Sequence, residues 1–192
     1  MYLFFDTETT GVPANYKAPY TNTDNWPRIV QIAFILASDD LQILAKDQFI
    51  IRPNGFDIPK GASDVHGIST EKAHEQGKEL AIVVPGIYHM AIANKATIVC
   101  HNYDFDSRIL AAEMVRVGNI NVDRFMQLPK ICTKLASVDL CKIQGAYGYK
   151  WPKLQELHQH IFAREFDNAH DAMGDIVATF DCFKELKTRK IV

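Results

Sequence analysis

The feature that most constrains the fold is the N-terminal segment, residues 1–11. Residues 2–5 form an apolar run that favours a strand, and the run continues directly into Asp6 and Glu8. Because residues i and i+2 of a strand point to the same side, the two carboxylates lie together. Burying two like charges without a counter-charge is costly or forces a proton onto one of them. An isolated D-x-E is more often a solvated strand end, so a cation site here requires further ligands along the chain.

The order of the predicted elements indicates an α/β fold. Three strands come first, with polar residues 38–40 as a hairpin connection, and helices then alternate with strands. This order is typical of a mixed sheet rather than a doubly wound parallel one. The predicted strands are 2–5, 28–37, 42–52, 96–100 and 131–133. The predicted helices are 59–65, 70–76, 79–94, 105–117, 135–141, one that follows Trp151-Pro152, and a last one that ends at about Lys187. Ser69 is the predicted N-cap of 70–76, Pro85 is expected to bend or interrupt 79–94, and the last helix is expected to start from an Asn168 N-cap with Asp171 at its third position.

The segment that follows Gly11 has no predicted regular structure. Residues 12–27 are polar and rich in turn-forming residues, including Pro13, Pro19 and Pro27. We interpret them as a mobile surface loop beside the acidic end of the first strand, because long loops without structure of their own are usually functional or disordered. The whole chain, residues 1–192, is otherwise interpreted as a single domain with this loop as an insertion.

Composition excludes several classes of function. Lysine and arginine number 21 against 23 aspartates and glutamates, so no whole-molecule basic field favours wrapping of long duplex nucleic acid. The four cysteines form no C-x-x-C pair, which predicts reduced thiols and a cytoplasmic protein. The longest apolar stretch is interrupted, so no membrane partner is expected. The sequence contains neither G-x-G-x-x-G nor G-x-x-x-x-G-K, which argues against a dinucleotide-binding protein and a P-loop nucleotide-binding protein.

Four acidic positions and one histidine form a possible catalytic set. Asp6 and Glu8 follow the first strand, Asp106 follows the fourth, and Asp175 lies in the last helix, five residues after His170. Ligands that are all carboxylate oxygens select hard cations such as Mg²⁺ or Mn²⁺. Two such ions suit in-line phosphoryl displacement, and a histidine that titrates near neutrality can take the proton of the attacking water. The set predicts two divalent cations, Mg²⁺ or Mn²⁺.

The segments F-D-T-E-T-T-G, H-N-Y-D-F-D and H-D-A-M-G-D resemble the three signature segments of the DEDDh 3′→5′ exonucleases. This superfamily includes the epsilon proofreading subunit of bacterial replicative DNA polymerase. The resemblance implies a ribonuclease-H-like mixed five-stranded sheet flanked by helices. It also implies metal ligation by Asp6, Glu8, Asp106 and Asp175, with His170 as the general base. Asp106 rather than Asp104 matches the family pattern, and Asp171 stands where the sister branch has tyrosine.

The same resemblance implies a pocket for the 3′-terminal nucleotide. Its members contribute a helix-turn segment, a strand end and hydrogen-bond donors of the first turn, namely Ala62, Val65, His66, His101, Asn102, Phe105, Thr7, Thr9 and Thr10. The expected substrate is the 3′ end of single-stranded or frayed DNA, with nucleoside 5′-monophosphates as products and a DNA polymerase subunit as a further candidate partner. Proofreading or repair is the expected role.

Two alternative functions stay open at the sequence level. One is RNA trimming by a 3′→5′ exoribonuclease of the same fold, because acceptance of a 2′-OH depends on pocket space that the sequence does not specify. The other is a non-catalytic adaptor that binds a polymerase. A non-catalytic adaptor would be expected to have lost some of the four acidic residues, and all four are present.

Overall fold

The computed structural model describes residues 1–166 and 171–192. Three strands, β1 (Tyr2–Thr9), β2 (Ile29–Ala37) and β3 (Ile43–Ile50), form an antiparallel meander. β4 (Thr97–Cys100) and β5 (Lys130–Cys132) add in parallel on the other side of β1. Within the described residues the sheet order is therefore β3-β2-β1-β4-β5. This is the mixed five-stranded sheet that the sequence predicted.

Helices flank this sheet on both faces. None of the helices in the described ranges combines the length and the apolar character that a membrane span requires. The helices are α1 (Lys60–His66), α2 (Thr70–Gln76), α3 (Leu80–Ala93), α4 (Tyr103–Val117), α5 (Val122–Met126), α6 (Thr133–Ala136), α7 (Val138–Cys141), α8 (Leu154–Phe162) and α9 (Ala172–Thr188), and a two-strand hairpin, β6 (Gln144–Gly145) with β7 (Gly148–Tyr149), lies between α7 and α8.

The alternation of β1 decides which helix faces which side chain. Leu3 and Phe5 point into the core shared with α3 and α4. Phe4 points the other way and packs edge-on against Phe180 and Phe183 of α9. Because side chains alternate along a strand, Thr7 lies on the same side as Leu3 and Phe5, facing α4. Asp6 and Glu8 lie on the same side as Phe4, facing α9.

Residues 12–27 lie on the surface, and a few contacts hold them against the protein. They contain a short 3-10 helix, Thr23–Asn25, and the buried side chain of Trp26. The Trp26 indole donates to the Pro19 carbonyl at 3.0 Å, and Arg116 of α4 donates to the Trp26 carbonyl at 2.6 Å. The polar composition of the segment did not indicate these contacts with a distant helix, and the mobility of the segment stays a prediction.

Several predicted boundaries also change. β1 extends to Thr9, so both acids lie within the strand rather than after it. α3 continues through Pro85 without interruption. The last helix begins at Ala172, and its N-cap is Asp171, whose carboxylate accepts from the Gly174 N–H at 3.3 Å. Asn168, the predicted N-cap, lies outside the described residues.

Candidate metal-binding active site

Three carboxylates meet at the end of β1. Oxygens of Asp6, Glu8 and Asp175 all lie within 4.8 Å of one another. Asp6 and Glu8 share one side of β1, and Asp175 reaches them because Ala172 and Ile176, on the same helical face, pack against the α9 side of the sheet. The structure thus brings together residues that are separated by more than 160 positions in the sequence.

Asp106 adjoins this cluster from the opposite side of β1. It is buried in the first turn of α4, and its Oδ1 accepts from both the Thr7 hydroxyl (2.8 Å) and the Thr7 backbone N–H (3.2 Å). Thr7 therefore fixes the orientation of the Asp106 carboxylate. Asp106 is not within the 4.8 Å group, but its charge acts on both Asp6 and Glu8.

The crowding of acids raises their pKa values. Burial is the largest cause for Asp6, and the nearby charges of Asp106 and Asp175 raise its pKa further. Burial together with Asp175 raises the pKa of Glu8 from 4.5 to about 8. Burial raises the pKa of Asp106 to about 7, although the Thr7 hydrogen bonds and Lys134 act in the opposite direction. The folded protein thus holds acids that resist ionisation unless a positive charge joins them.

The donor set fits divalent cations. Within residues 1–166 and 171–192, the ligand atoms of the cluster are carboxylate oxygens, which hard divalent cations such as Mg²⁺ and Mn²⁺ accept. Cations would also remove the electrostatic cost that raises the acid pKa values.

Comparison with known proteins identifies the family. A family model described as the RNase_T exonuclease family matches residues 3–183. The chain belongs to this exonuclease family. The prediction of a nucleic-acid hydrolase of the exonuclease superfamily is thereby confirmed. A search of curated protein sequences finds no match to the chain.

Solved structures of exonuclease I share the fold. The E. coli enzyme in complex with a dT13 oligonucleotide is 22% identical, with a TM-score of 0.78, and the alignment covers 98% of this chain and 41% of that one. The zinc-bound form of an E. coli exonuclease I–ssDNA complex is 23% identical, with a TM-score of 0.77 and coverage of 98% and 40%. An ExoI/SSB-Ct complex is 21% identical, with a TM-score of 0.76 and coverage of 98% and 41%. This exonuclease chain spans about two fifths of the length of those proteins.

Two predicted threonines close the turn after β1. The Thr9 hydroxyl donates to the Gly11 carbonyl at 2.6 Å, and the Thr10 hydroxyl accepts from the Arg28 N–H at 3.0 Å. These side chains shape the turn, and their contact with substrate stays a prediction. His170, the predicted general base, lies outside the described residues.

The predicted helix-turn segment also reaches the end of β1. His66 ends α1, its Nδ1 accepts from the Ile68 N–H at 3.2 Å, and its ring lies against the Thr9 carbonyl. Burial lowers the His66 pKa, with Lys72 adding to the effect and the Thr9 carbonyl opposing it. Ala62 packs near Ile58 and Ile68, whereas Val65 is exposed. Their role in a nucleotide pocket stays a prediction.

His101 has a structural role that the sequence did not resolve. Its Nε2 contacts the Pro152 carbonyl at 3.1 Å, and its Nδ1 contacts the Thr133 hydroxyl at 3.0 Å. A carbonyl only accepts, so Nε2 carries the proton and Nδ1 accepts from Thr133. Burial lowers the His101 pKa to about 4, which keeps the ring neutral. Both ring nitrogens are hydrogen-bonded within the protein, and contact of this side chain with substrate stays a prediction.

The neighbouring residues remain accessible. Asn102 precedes α4, and its side-chain oxygen accepts from the Lys134 ammonium. Phe105 is half-buried beside the core, one residue before Asp106. Both line a groove that opens at the start of α4.

Sequence reasoning missed Gln31, which holds the start of α9. Gln31 lies opposite Glu8 in the sheet register and is buried. Its Nε2 donates to Asp171 Oδ1 at 3.0 Å, and its Oε1 accepts from the Ala172 N–H at 3.2 Å. The amide thereby fixes the first turn of the helix that carries Asp175. The available signal was a lone amide side chain inside the otherwise apolar strand Ile29–Ala37.

Proposed function

We propose that the chain is a metal-dependent 3′→5′ exonuclease that hydrolyses terminal phosphodiesters of single-stranded or frayed DNA. Its products would be nucleoside 5′-monophosphates. The observation that carries the proposal is the convergence of Asp6, Glu8 and Asp175 within 4.8 Å, with Asp106 alongside. Membership of the exonuclease family supports the hydrolytic activity.

The carboxylates would act as the holders of the cations. Asp6, Glu8 and Asp175 offer oxygens at one point, and Asp106, oriented by Thr7, supplies the fourth carboxylate. Two bound Mg²⁺ or Mn²⁺ ions would activate the attacking water and neutralise charge on the scissile phosphate. We assign His170 as the residue that takes the proton of that water.

Single-stranded DNA is the substrate we favour. Exonuclease I structures that share this fold contain dT13 and dA16 oligonucleotides. Because the likeness to them is below 25% identity, it supports the DNA assignment only through the shared fold. Action in proofreading or repair and attachment to a polymerase subunit stay predictions from the sequence.

We also propose that residues 1–192 act as one exonuclease domain in the cytoplasm. All four cysteines are free thiols, which is typical of proteins in a reducing compartment. The carboxylate site draws on β1, α4 and α9, which span most of the chain.

The test is a hydrolysis assay on matched DNA and RNA oligomers labelled at the 5′ end. We expect a ladder that shortens from the 3′ end, release of nucleoside 5′-monophosphates, dependence on Mg²⁺ or Mn²⁺, and loss of activity with EDTA. Asp175→Asn should abolish hydrolysis, and His170→Ala should lower the rate by roughly 10²–10⁴. Asp181→Asn is the matched control, because Asp181 lies on the same helix and its side chain is 44% exposed.

Three outcomes would refute parts of the proposal. Early release of the 5′-labelled nucleotide would reverse the assigned polarity. Near-normal activity of Asp175→Asn with Mg²⁺ would remove the metal-ligand assignment. Faster degradation of the RNA oligomer would replace DNA with RNA as the substrate.

A further inference from the structure

A large groove opens beside the carboxylate cluster and has no role in the mechanism above. Its volume is about 1360 Å³, which exceeds the range of pockets that take a single small molecule. The floor is formed by the start of α4 and by β5, including Phe105 and Ile131. Residues 16–17 form one wall, and residues 134–136 with Trp151 form the other.

The side chains that line the groove carry a positive charge excess. Four of them are basic, namely Lys17, Arg108, Lys130 and Lys134, and one is acidic, Asp104. The whole chain, in contrast, has a formal net charge of −2. A local basic surface on an otherwise slightly acidic protein complements a polyanion.

An exposed aromatic ring stands on a rigid support in this groove. The Trp151 side chain is 63% exposed, and the Lys134 ammonium lies 5.1 Å from its ring centroid. The next residue, Pro152, is held by the buried His101 through its carbonyl. Exposing an indole to water is unfavourable, whereas a fixed, flat ring beside cations is typical of surfaces on which nucleic-acid bases stack.

The opposite wall is equally fixed. Residues 12–27 are anchored by Arg108, which donates to the Ala18 carbonyl at 3.3 Å, and by Arg116, which donates to the Trp26 carbonyl. This anchoring presents Tyr16, 58% exposed, and Lys17 to the groove. The segment thus forms a preorganised wall.

The groove adjoins the carboxylate site. Phe105, which lines it, directly precedes Asp106 in the first turn of α4. Lys134 also lines the groove, and its charge acts on Asp106. The basic surface therefore begins next to the carboxylates that would hold the terminal phosphodiester.

We propose that the groove binds the nucleotides on the 5′ side of the scissile phosphate in single-stranded DNA. Lys17 and Lys130 contact backbone phosphates, and Trp151 stacks on a base. This inference rests on the proposed exonuclease function and deepens it, because it makes hydrolysis depend on substrate length. The insertion at residues 12–27 then serves as a wall of the DNA path.

The experiment measures both binding and hydrolysis with the full chain. Binding of a 5′-labelled dT12 oligonucleotide is followed by fluorescence anisotropy in EDTA over a salt series. The variants are Trp151→Ala, Trp151→Phe, Lys17→Gln and Lys130→Gln. The matched controls are Lys46→Gln and Tyr149→Ala, which change exposed residues that do not line the groove. The KM for hydrolysis is then measured for oligo-dT from two to twelve nucleotides with Mg²⁺.

We expect Trp151→Ala to weaken dT12 binding roughly 5- to 100-fold, with Trp151→Phe recovering most of it. Each lysine variant should reduce the slope of log affinity against log salt by about 0.7. The KM of the unmodified protein should fall with substrate length, and the groove variants should lose that dependence while both controls retain it. Wild-type binding by Trp151→Ala, or an unchanged salt slope in both lysine variants, would overturn the proposal. Length-dependent binding without any hydrolysis by the unmodified protein would instead sink the exonuclease function and leave the groove in place.

Discussion

The carboxylate cluster should make the metal-free protein less stable as the pH rises, and Glu8→Gln isolates that effect. The substitution keeps the shape of the side chain and removes its charge. In the folded protein the Glu8 pKa rises from 4.5 to about 8 because of burial and the neighbouring acids. Between these pH values the folded state binds more protons than the unfolded state, so the free energy of unfolding decreases with increasing pH.

The size of the effect follows from the pKa change. Each pKa unit corresponds to about 1.4 kcal/mol, so Glu8 alone should lower the free energy of unfolding by about 4 kcal/mol between about pH 5 and pH 9. Glu8→Gln should therefore be more stable than the unmodified protein at about pH 9 by a similar amount. The gain should shrink as the pH falls and vanish below about pH 4, where Glu8 is largely protonated in both the folded and the unfolded state. The same variant should lose hydrolytic activity.

Urea unfolding in EDTA at the two pH values measures this difference. Glu75→Gln is the control, because Glu75 is exposed on α2 and is not part of the carboxylate cluster. Added Mg²⁺ should stabilise the unmodified protein more than Glu8→Gln, since a cation compensates the ionised cluster. If Glu8→Gln is no more stable than the unmodified protein at about pH 9, the cluster is not electrostatically strained and the reasoning fails.

Three further perturbations test how the site is held together. Gln31→Leu should lower kcat about 10-fold with little change in KM, because the start of α9 loses its anchor. Steady-state kinetics would check this, with Gln76→Leu as the control because Gln76 is exposed on α2, and an unchanged kcat would contradict it. Thr7→Val removes the hydrogen bond from the Thr7 hydroxyl to Asp106 and should raise the Mg²⁺ concentration for half-maximal activity about 10-fold. If a metal titration gives the same half-maximal concentration as the unmodified protein, Thr7 does not orient the Asp106 carboxylate. Glu113→Ala should destabilise the fold by about 3 kcal/mol, since the buried Glu113 Oε1 lies 2.9 Å from Arg28 Nε in an ion pair. An unchanged denaturation midpoint would exclude this loss of stability.

The sequence by itself determined the strands of the main sheet and the acidic positions. Apolar runs located all five strands of the main sheet, and Ser69 marked the start of α2, where its hydroxyl accepts from the Lys72 N–H. These predictions succeed because period and capping are local properties, readable within one turn or strand. The three signature segments likewise identified the family, since each is contiguous in the chain.

Only the tertiary structure decided how side chains are used. Thr7 bonds to Asp106 across 99 positions, and Gln31 bonds to Ala172 across 141. His101 resembles a substrate ligand in the sequence, yet both ring nitrogens bond to partners 32 and 51 positions away. A hydrogen bond depends on distances and angles between atoms, and local spacing does not fix these for segments that meet only after folding. The carboxylate types were readable from the sequence, whereas their convergence and the groove beside them required the packed sheet.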